Sequence, residues 1–206
     1  MEPFVILEGI AAPLELANVD TGQIMPARFL RRPRNAGYQD FLFRDLRFSE
    51  DGKELPDFVL NQAAYHKARI LVAGRTFGAG SSREQAAWGL TDFGIRCVIA
   101  VDFGDIFYAN AFKSGLLPIR VDVDTCAKLR SQLNTQPGTS LRIDLPAQTI
   151  SAADGTTLAF EIDPFRKRCL LEGLDEIGIT LQYEEVISAF EQGYRHDMRW
   201  LFGIHP

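Results

Sequence analysis

Residues 68–101 read ARILVAGRTFGAGSSREQAAWGLTDFGIRCVIAV and contain the clearest pattern in the chain. An apolar run at 68–73 predicts a buried strand, and a glycine-rich turn follows it at 74–80. Apolar residues then recur with helical spacing over 82–93, and a second apolar run occupies 96–101. The order strand, helix, strand predicts two parallel strands whose connecting helix packs against the sheet.

The pattern continues toward the carboxyl terminus. We expect a second helix over 105–112 and a third strand over 117–121, which extends the alternation. Beyond them the sequence predicts three helices, over 124–133, 165–174 and 175–192. It also predicts a hairpin whose strands cover 141–145 and 158–162 and whose turn is at Asp154-Gly155.

The amino-terminal part has weaker signals. An apolar run at 4–7 predicts a short strand, and 9–13 predicts a turn-prone connection. Residues 28–57 carry many charges and aromatics without a period, which predicts an irregular excursion. Because we find no repeat and no linker, we predict one α/β domain over 1–206, with 192–206 as a carboxyl-terminal tail.

Composition and charge limit the possible function classes. The chain has 206 residues, of which 46% are hydrophobic and 24% charged, as in ordinary soluble proteins. Its net charge of -5 does not fit a general nucleic-acid binder, which needs a basic face. No apolar run approaches the roughly 20 residues that cross a bilayer, and the start of the chain does not resemble a signal peptide. We therefore expect a cytoplasmic protein without nucleic-acid or membrane partners.

The cysteines show no metal-binding pattern. Cys97, Cys126 and Cys169 are far apart and form no CxxC pair, so we expect no metal site within this chain. Cys97 lies in an apolar run, where a buried reduced thiol is the simplest interpretation. Scattered cysteines in odd number also suit a reducing cytoplasm.

The glycine-rich turn has the features of an anion-binding site. A helix start exposes free N–H groups and the positive end of the helix dipole, and glycines let the backbone approach a ligand closely. Ser81 or Ser82 can cap the helix, and the Arg83 guanidinium adds a fork that fits a carboxylate or a phosphate.

Local chemistry alone leaves several interpretations open. Gly78-Ala79-Gly80 resembles the start of a dinucleotide fingerprint, but Arg83 replaces its third glycine. The lysine of a P-loop and the G-x-S-x-G of a serine hydrolase are absent. A capped helix with Arg83 in a structural salt bridge fits the same residues.

The run FGAGSSRE at 77–84, with Ala86 shortly after it, resembles the swivelling domain of the aconitase superfamily, and most closely the small subunits of 3-isopropylmalate dehydratase. The resemblance covers roughly 4–192 and implies a β/β/α-type α/β domain, with a mixed sheet and flanking helices. Other segments match in order and spacing, at 18–30, 57–61, 90–94, 105–110, 115–118 and 173–181.

The resemblance also implies a function. Members of the family isomerise 2- and 3-isopropylmalate by dehydration and rehydration in leucine biosynthesis, with a [4Fe-4S] cluster on a separate large subunit acting as a Lewis acid. The small subunit supplies a serine alkoxide that takes the proton, and by position this serine is Ser81. Ser82 and Arg83 would bind a carboxylate of the di- or tricarboxylate substrate, with Asp20 and Thr21 beside them.

A cluster of arginines follows the Asp20-Thr21 pair, at positions 28, 31, 32 and 34. A solvated loop is its simplest interpretation. The sharper hypothesis is a flap that senses the substrate's side chain or second carboxylate, with Arg28 as a substrate-binding residue.

Three positions depart from the family pattern. Ala79 stands where a cysteine is usual, Gln85 where a histidine is usual, and Gly22 where a second aspartate is usual. These departures keep two alternatives open. One is a related dehydratase acting on another malate derivative, of citraconate, dimethylmalate or homoaconitate type, and the other is a non-catalytic anion-binding module of the same fold.

Overall fold

The computed structural model describes residues 1–202. By its contacts the chain forms two compact units, Met1–Gly173 and a second unit that begins at Leu174. The single domain with a tail from residue 192 stays a prediction, and positions 203–206 of that tail lie outside the described residues.

A seven-stranded mixed sheet forms the centre of the first unit. Its strands are β1 (Ile6–Pro13), β2 (Ile70–Val72), β3 (Cys97–Ala100), β4 (Leu117–Arg120), β5 (Ser140–Asp144), β6 (Thr149–Ser151) and β7 (Thr157–Ala159). The spatial order is β4-β3-β2-β1-β5-β6-β7. Strands β1 to β4 pair in parallel, whereas β5 joins β1 antiparallel and the hairpin strands continue antiparallel. The α/β class and the mixed sheet are therefore confirmed.

Helices cover both faces of this sheet. They are α1 (Thr21–Ile24), α2 (Arg44–Arg47), α3 (Glu84–Phe93), α4 (Asp105–Lys113), α5 (Val123–Thr135) and α6 (Pro164–Glu172). Because side chains alternate along a strand, Leu71 joins the apolar core on the α3 side, whereas Ile70 and Val72 join the core on the α5 side. Cys97 is fully buried in the second core, as its apolar run predicts.

The predicted turn at 9–13 is wrong, because β1 continues to Pro13. The first half of β1 pairs with β5 and the second half with β2, so the backbone stays extended through Gly9. Glycine is suited to this place in the strand because a Cβ on Gly9 would lie 2.8 Å from the Arg69 Cβ. Here close packing, not a turn, accounts for the glycine.

Two boundaries near the carboxyl terminus also differ from expectation. The turn at Asp154-Gly155 joins β6 to β7, and β6 lies outside the predicted strands. In the second unit, the expected helix over 175–192 is divided into α7 (Glu176–Leu181) and α8 (Glu184–Asp197). None of the helices in residues 1–202 has the length and apolar character needed to span a membrane.

The irregular excursion at 28–57 contains short helical turns held by a buried polar network. Arg47 and Asn61 are only 7% and 8% exposed. The Arg47 Nε donates to the Asn61 Oδ1 at 3.0 Å, and the Asn61 Nδ2 donates to the carbonyl oxygens of Arg47 at 2.6 Å and Leu55 at 2.9 Å. Burial lowers the pKa of Arg47. One amide thus satisfies three polar groups of the excursion.

Asn61→Ala is expected to lower the free energy of unfolding by about 2 kcal/mol, since it removes the acceptor of the buried Arg47 Nε–H and one of the two donors to each of the two carbonyl oxygens. Urea denaturation measures the change. Asn134→Ala is the control, because the Asn134 amide bonds to Glu15 at the surface and should contribute less than about 0.5 kcal/mol. Equal losses in the two variants would contradict a structural role for the network.

Candidate functional site

The loop between β2 and α3 is shaped by close packing of glycines. Gly78 has a φ of 75° and Gly80 a φ of 94°, both in the left-handed region. A Cβ on Gly78 would also overlap the Phe107 ring. Gly104, which precedes α4, lies so close that its Cβ would overlap the Gly78 carbonyl oxygen. The start of α4 therefore fixes the place of the loop.

Hydrogen bonds from two other segments hold the same loop. The Thr76 N–H donates to the Asp102 Oδ1 at 2.8 Å, which supports a positive φ of 55° at Thr76. The Phe77 N–H donates to the Asp102 carbonyl at 3.0 Å, and the Gly78 N–H donates to the Val19 carbonyl at 2.6 Å. The end of β3 and the segment before α1 thus position the loop from opposite sides.

The structure places Asp20 and Thr21 against this loop. Thr21 is 2% exposed, and its N–H and Oγ1 donate at 2.8 Å to the carbonyl oxygens of Ala79 and Ser81, respectively. The Asp20 carboxylate is exposed and caps α1 by accepting from the N–H of Gly22 at 2.6 Å. The Thr21 hydroxyl therefore holds the Ser81 backbone, while its predicted contact with substrate stays a prediction.

Ser81, Ser82 and Arg83 lie together at the start of α3. Both serines are exposed, and within residues 1–202 neither hydroxyl makes a hydrogen bond. Arg83 is half-buried, and its Nη1 donates to the Met25 carbonyl oxygen at 3.0 Å. No carboxylate in the described chain pairs with Arg83, so the structural salt bridge that its sequence context allows is not formed.

The prediction that Ser81 or Ser82 caps this helix is wrong. Arg83 itself is extended, with a φ of -132° and a ψ of 94°, and α3 begins at Glu84 rather than at residue 82. Arg83 occupies the N-cap position, and no side chain caps the helix. Two free hydroxyls and a guanidinium therefore lie beside the exposed N–H groups of a helix start.

Arg28 is placed differently from its predicted role. Its guanidinium forms a two-pronged ion pair with Asp45, with Nη1 donating to Oδ2 at 2.9 Å. Arg28 lowers the pKa of this carboxyl by its hydrogen bonds and charge. Arg34 forms a similar fork with Asp92. In the described chain no hydrogen bond or ion pair joins Arg28 to the loop, and substrate binding by Arg28 stays a prediction.

Three residues that support the site are absent from the sequence-based prediction of site residues. Asp102 directly follows the apolar run at 96–101 and Gly104 directly precedes the helix α4, and these are the signals that could have identified them. In the sequence, Gly22 is only a departure from the family pattern. A Cβ built on Gly22 would lie 2.8 Å from the Arg83 Nη1, so Gly22 lies directly against the Arg83 guanidinium and belongs to the site.

The cysteines do not form a metal site in the part of the chain that the structure describes. No three potential ligands among histidine, cysteine, aspartate and glutamate come together within residues 1–202. Burial raises the pKa of the Cys97 and Cys126 thiols, and the Cys126 Sγ donates to the Ala73 carbonyl oxygen at 2.9 Å. These protonated, enclosed thiols are poor metal ligands.

Comparison with known proteins extends the resemblance over the whole chain. The family model for the aconitase C-terminal domain matches residues 1–124, and the model described as LeuD_N matches 127–164. A third model, for the C-terminal domain of the 3-isopropylmalate dehydratase small subunit, matches 176–204.

Proteins named 3-isopropylmalate dehydratase small subunit from Xanthobacter autotrophicus and Azorhizobium caulinodans are 52% and 53% identical to this chain, each alignment covering 98% of it and 100% of the relative. A crystal structure of 3-isopropylmalate dehydratase from Methanocaldococcus jannaschii superposes with a TM-score of 0.65 at 27% identity, covering 90% of this chain and 99% of that one. The chain therefore belongs to the family of 3-isopropylmalate dehydratase small subunits.

Proposed function

We propose that this chain is the small subunit of a heteromeric, cytoplasmic hydro-lyase that interconverts 2-isopropylmalate and 3-isopropylmalate by dehydration and rehydration in leucine biosynthesis. The observation that carries the proposal is that, among the described residues, the Ser81 hydroxyl makes no hydrogen bond and the nearby Arg83 pairs with no carboxylate, on a loop held by Thr21 and Asp102. The high identity to named small subunits over nearly the full chain supports it.

Ser81 is the proposed base. A serine alkoxide is unfavourable in water, but the uncapped start of the ten-residue helix α3 offers N–H groups and a positive dipole end. The Arg83 charge adds to this stabilisation. Ser81 would take the proton from one substrate carbon while the hydroxyl on the neighbouring carbon leaves as water and a double bond forms between the two carbons, and it would return a proton when water adds back. The cluster of the large subunit would supply the Lewis acid that helps the hydroxyl to leave.

Ser82 and Arg83 are the proposed carboxylate-binding pair. The Arg83 guanidinium uses one Nη1 hydrogen for the Met25 carbonyl, which leaves other N–H donors for a substrate carboxylate. The exposed Ser82 hydroxyl can donate to the same carboxylate. Asp20 and Thr21 would act mainly on the loop and on α1, because both side chains already bond to their backbone.

A large subunit is the proposed partner and the carrier of a [4Fe-4S] cluster. The scattered and buried cysteines of this chain do not fit such a cluster. The rim from Gly78 to Arg83, which is exposed at residues 80–82, is the proposed contact surface with the substrate that the large subunit presents.

A substrate panel tests the proposed function. The chain is combined with its large subunit under anaerobic conditions and assayed with 2-isopropylmalate, dimethylmalate, citraconate and homoaconitate. We expect the highest kcat/KM with isopropylmalate. A higher value with another compound would assign the chain to a related dehydratase. Inactivity with all of them, beside an active complex of the same large subunit with a known small subunit, would favour a non-catalytic module.

Arg83→Lys is expected to raise KM about tenfold or more in this complex. Lysine keeps the charge but loses the planar fork, and a hydrogen bond to a charged group contributes about 1.5–3 kcal/mol. Steady-state kinetics with the preferred substrate measures the change. Arg142→Lys, at an exposed ion pair on β5, is the control and should not change KM. An unchanged KM in the Arg83 variant would indicate a structural arginine.

A further inference from the structure

Position 22 lies between two charged groups of the site. A Cβ built on Gly22 would be 2.8 Å from the Arg83 Nη1 and 3.0 Å from the Asp20 Oδ1. Side-chain carbon atoms do not approach polar atoms this closely without displacing them. Any residue other than glycine at position 22 must therefore move Arg83, Asp20 or its own helix.

The backbone itself does not require glycine at this position. Gly22 lies within α1, and it is not among the glycines with positive φ. In a helix, alanine is more favourable than glycine by roughly 0.5–1 kcal/mol. Local structure would therefore favour alanine. In this chain the Arg83 guanidinium occupies the space that a side chain at position 22 would need, whereas the aspartate that is usual in the family would meet the guanidinium there with a carboxylate.

Of the two neighbours, Arg83 is the one that can yield. The Asp20 Oδ1 accepts from the N–H groups of Gly22 at 2.6 Å and Gln23 at 2.8 Å, and the Asp20 N–H donates to the Gln23 side chain at 2.9 Å. Within residues 1–202 the Arg83 guanidinium, at the end of a flexible side chain, has a single hydrogen bond, which it donates to Met25. A methyl group at position 22 would thus displace the guanidinium and leave the capped helix in place.

We propose that Gly22 is a positioning residue of the carboxylate site. By having no side chain, it lets the Arg83 guanidinium rest against α1 at one fixed place beside Ser82. This inference rests on the proposed function, in which Arg83 binds a substrate carboxylate. A displacement of about 1 Å in such a group can cost about 100-fold in rate, so a single methyl group should have a measurable effect.

Gly22→Ala in the reconstituted complex tests the proposal. We expect KM to rise about tenfold or more and kcat to change less, because the carboxylate fork moves while Ser81 stays. The thermal unfolding midpoint should stay equal or rise slightly, since alanine favours the helix. Gly193→Ala is the matched control, because its added Cβ meets nothing within 4 Å. It should leave KM unchanged.

Testing Gly22→Ala in the Arg83→Lys variant shows whether the rise in KM comes from displacement of Arg83 or from a general disturbance of the site. In Arg83→Lys the Nη1 atom is absent, so adding Gly22→Ala should raise KM less than about threefold further. If Gly22→Ala leaves KM unchanged, or has the same fold effect in both backgrounds, the proposal is wrong. A wild-type complex that prefers another malate derivative would instead overturn the proposed function, and the same variants are then compared with that substrate.

A measurement on the isolated chain needs no activity. The Arg83 Nε–H signal in a nitrogen-15 NMR spectrum is assigned by its loss in Arg83→Lys. Gly22→Ala should shift this signal, and Gly193→Ala should not. An unmoved Arg83 signal in Gly22→Ala would show that the guanidinium keeps its place, which contradicts the proposal.

Discussion

Ser81→Ala in the reconstituted complex is expected to lower kcat by about 10²- to 10⁴-fold, the usual contribution of a general acid–base group. The exposed Ser81 hydroxyl makes no hydrogen bond within residues 1–202, so its loss should leave the fold unchanged. The carbonyl that Thr21 holds belongs to the backbone and remains in alanine. Anaerobic kinetics measures kcat, and urea denaturation checks stability.

Two other serines serve as controls for this prediction. Ser82→Ala should mainly raise KM, because the proposed role of Ser82 is to bind a carboxylate rather than to take the proton. Ser131→Ala, on an exposed position of α5, should change neither constant. Near-normal kcat in Ser81→Ala would remove Ser81 from the mechanism and leave Arg83 as a binding group only.

The sequence is sufficient for those parts of the fold that depend on local pattern. Periodicity and glycine placement identify the alternation of strands and helices from β2 to β4, because each element there is buried on a regular face. Gly9 is misjudged for the opposite reason. Its place in a continuous strand depends on Arg69, which is distant in sequence, and no local signal distinguishes such a glycine from a turn.

In the candidate site, too, features that depend on local sequence can be predicted, and those that depend on distant residues cannot. The turn with Ser81 and Arg83 can be identified from its own residues and from family resemblance. The contacts that its supports make cannot be identified in this way, because Gly104 meets Gly78 and Asp102 meets Thr76 only after β2 and β3 have paired. The helix also starts later than its pattern predicts, because Arg83 rather than a serine occupies the N-cap position, while Thr21, distant in sequence, bonds to the Ser81 carbonyl oxygen.

The purified chain alone is expected to be iron-free and inactive, and to gain dehydratase activity only when a cluster-bearing large subunit is added. Its thiols are buried with raised pKa, which disfavours the thiolate that iron requires. Its proposed base is exposed and so lacks the enclosed site in which an alkoxide is stabilised. Iron and sulfide assays on the chain, followed by activity upon titration with the large subunit, measure both points.

The large subunit assayed alone is the control, and it should contain the cluster yet turn over no substrate, because it lacks the proposed Ser81 base. Activity should then saturate at a fixed ratio of the two chains, since a persistent heteromer buries about 800 Å² on each partner. Stoichiometric iron and sulfide on the isolated small chain would contradict this division of labour. So would full activity of the large subunit by itself, because the proton would then have another acceptor.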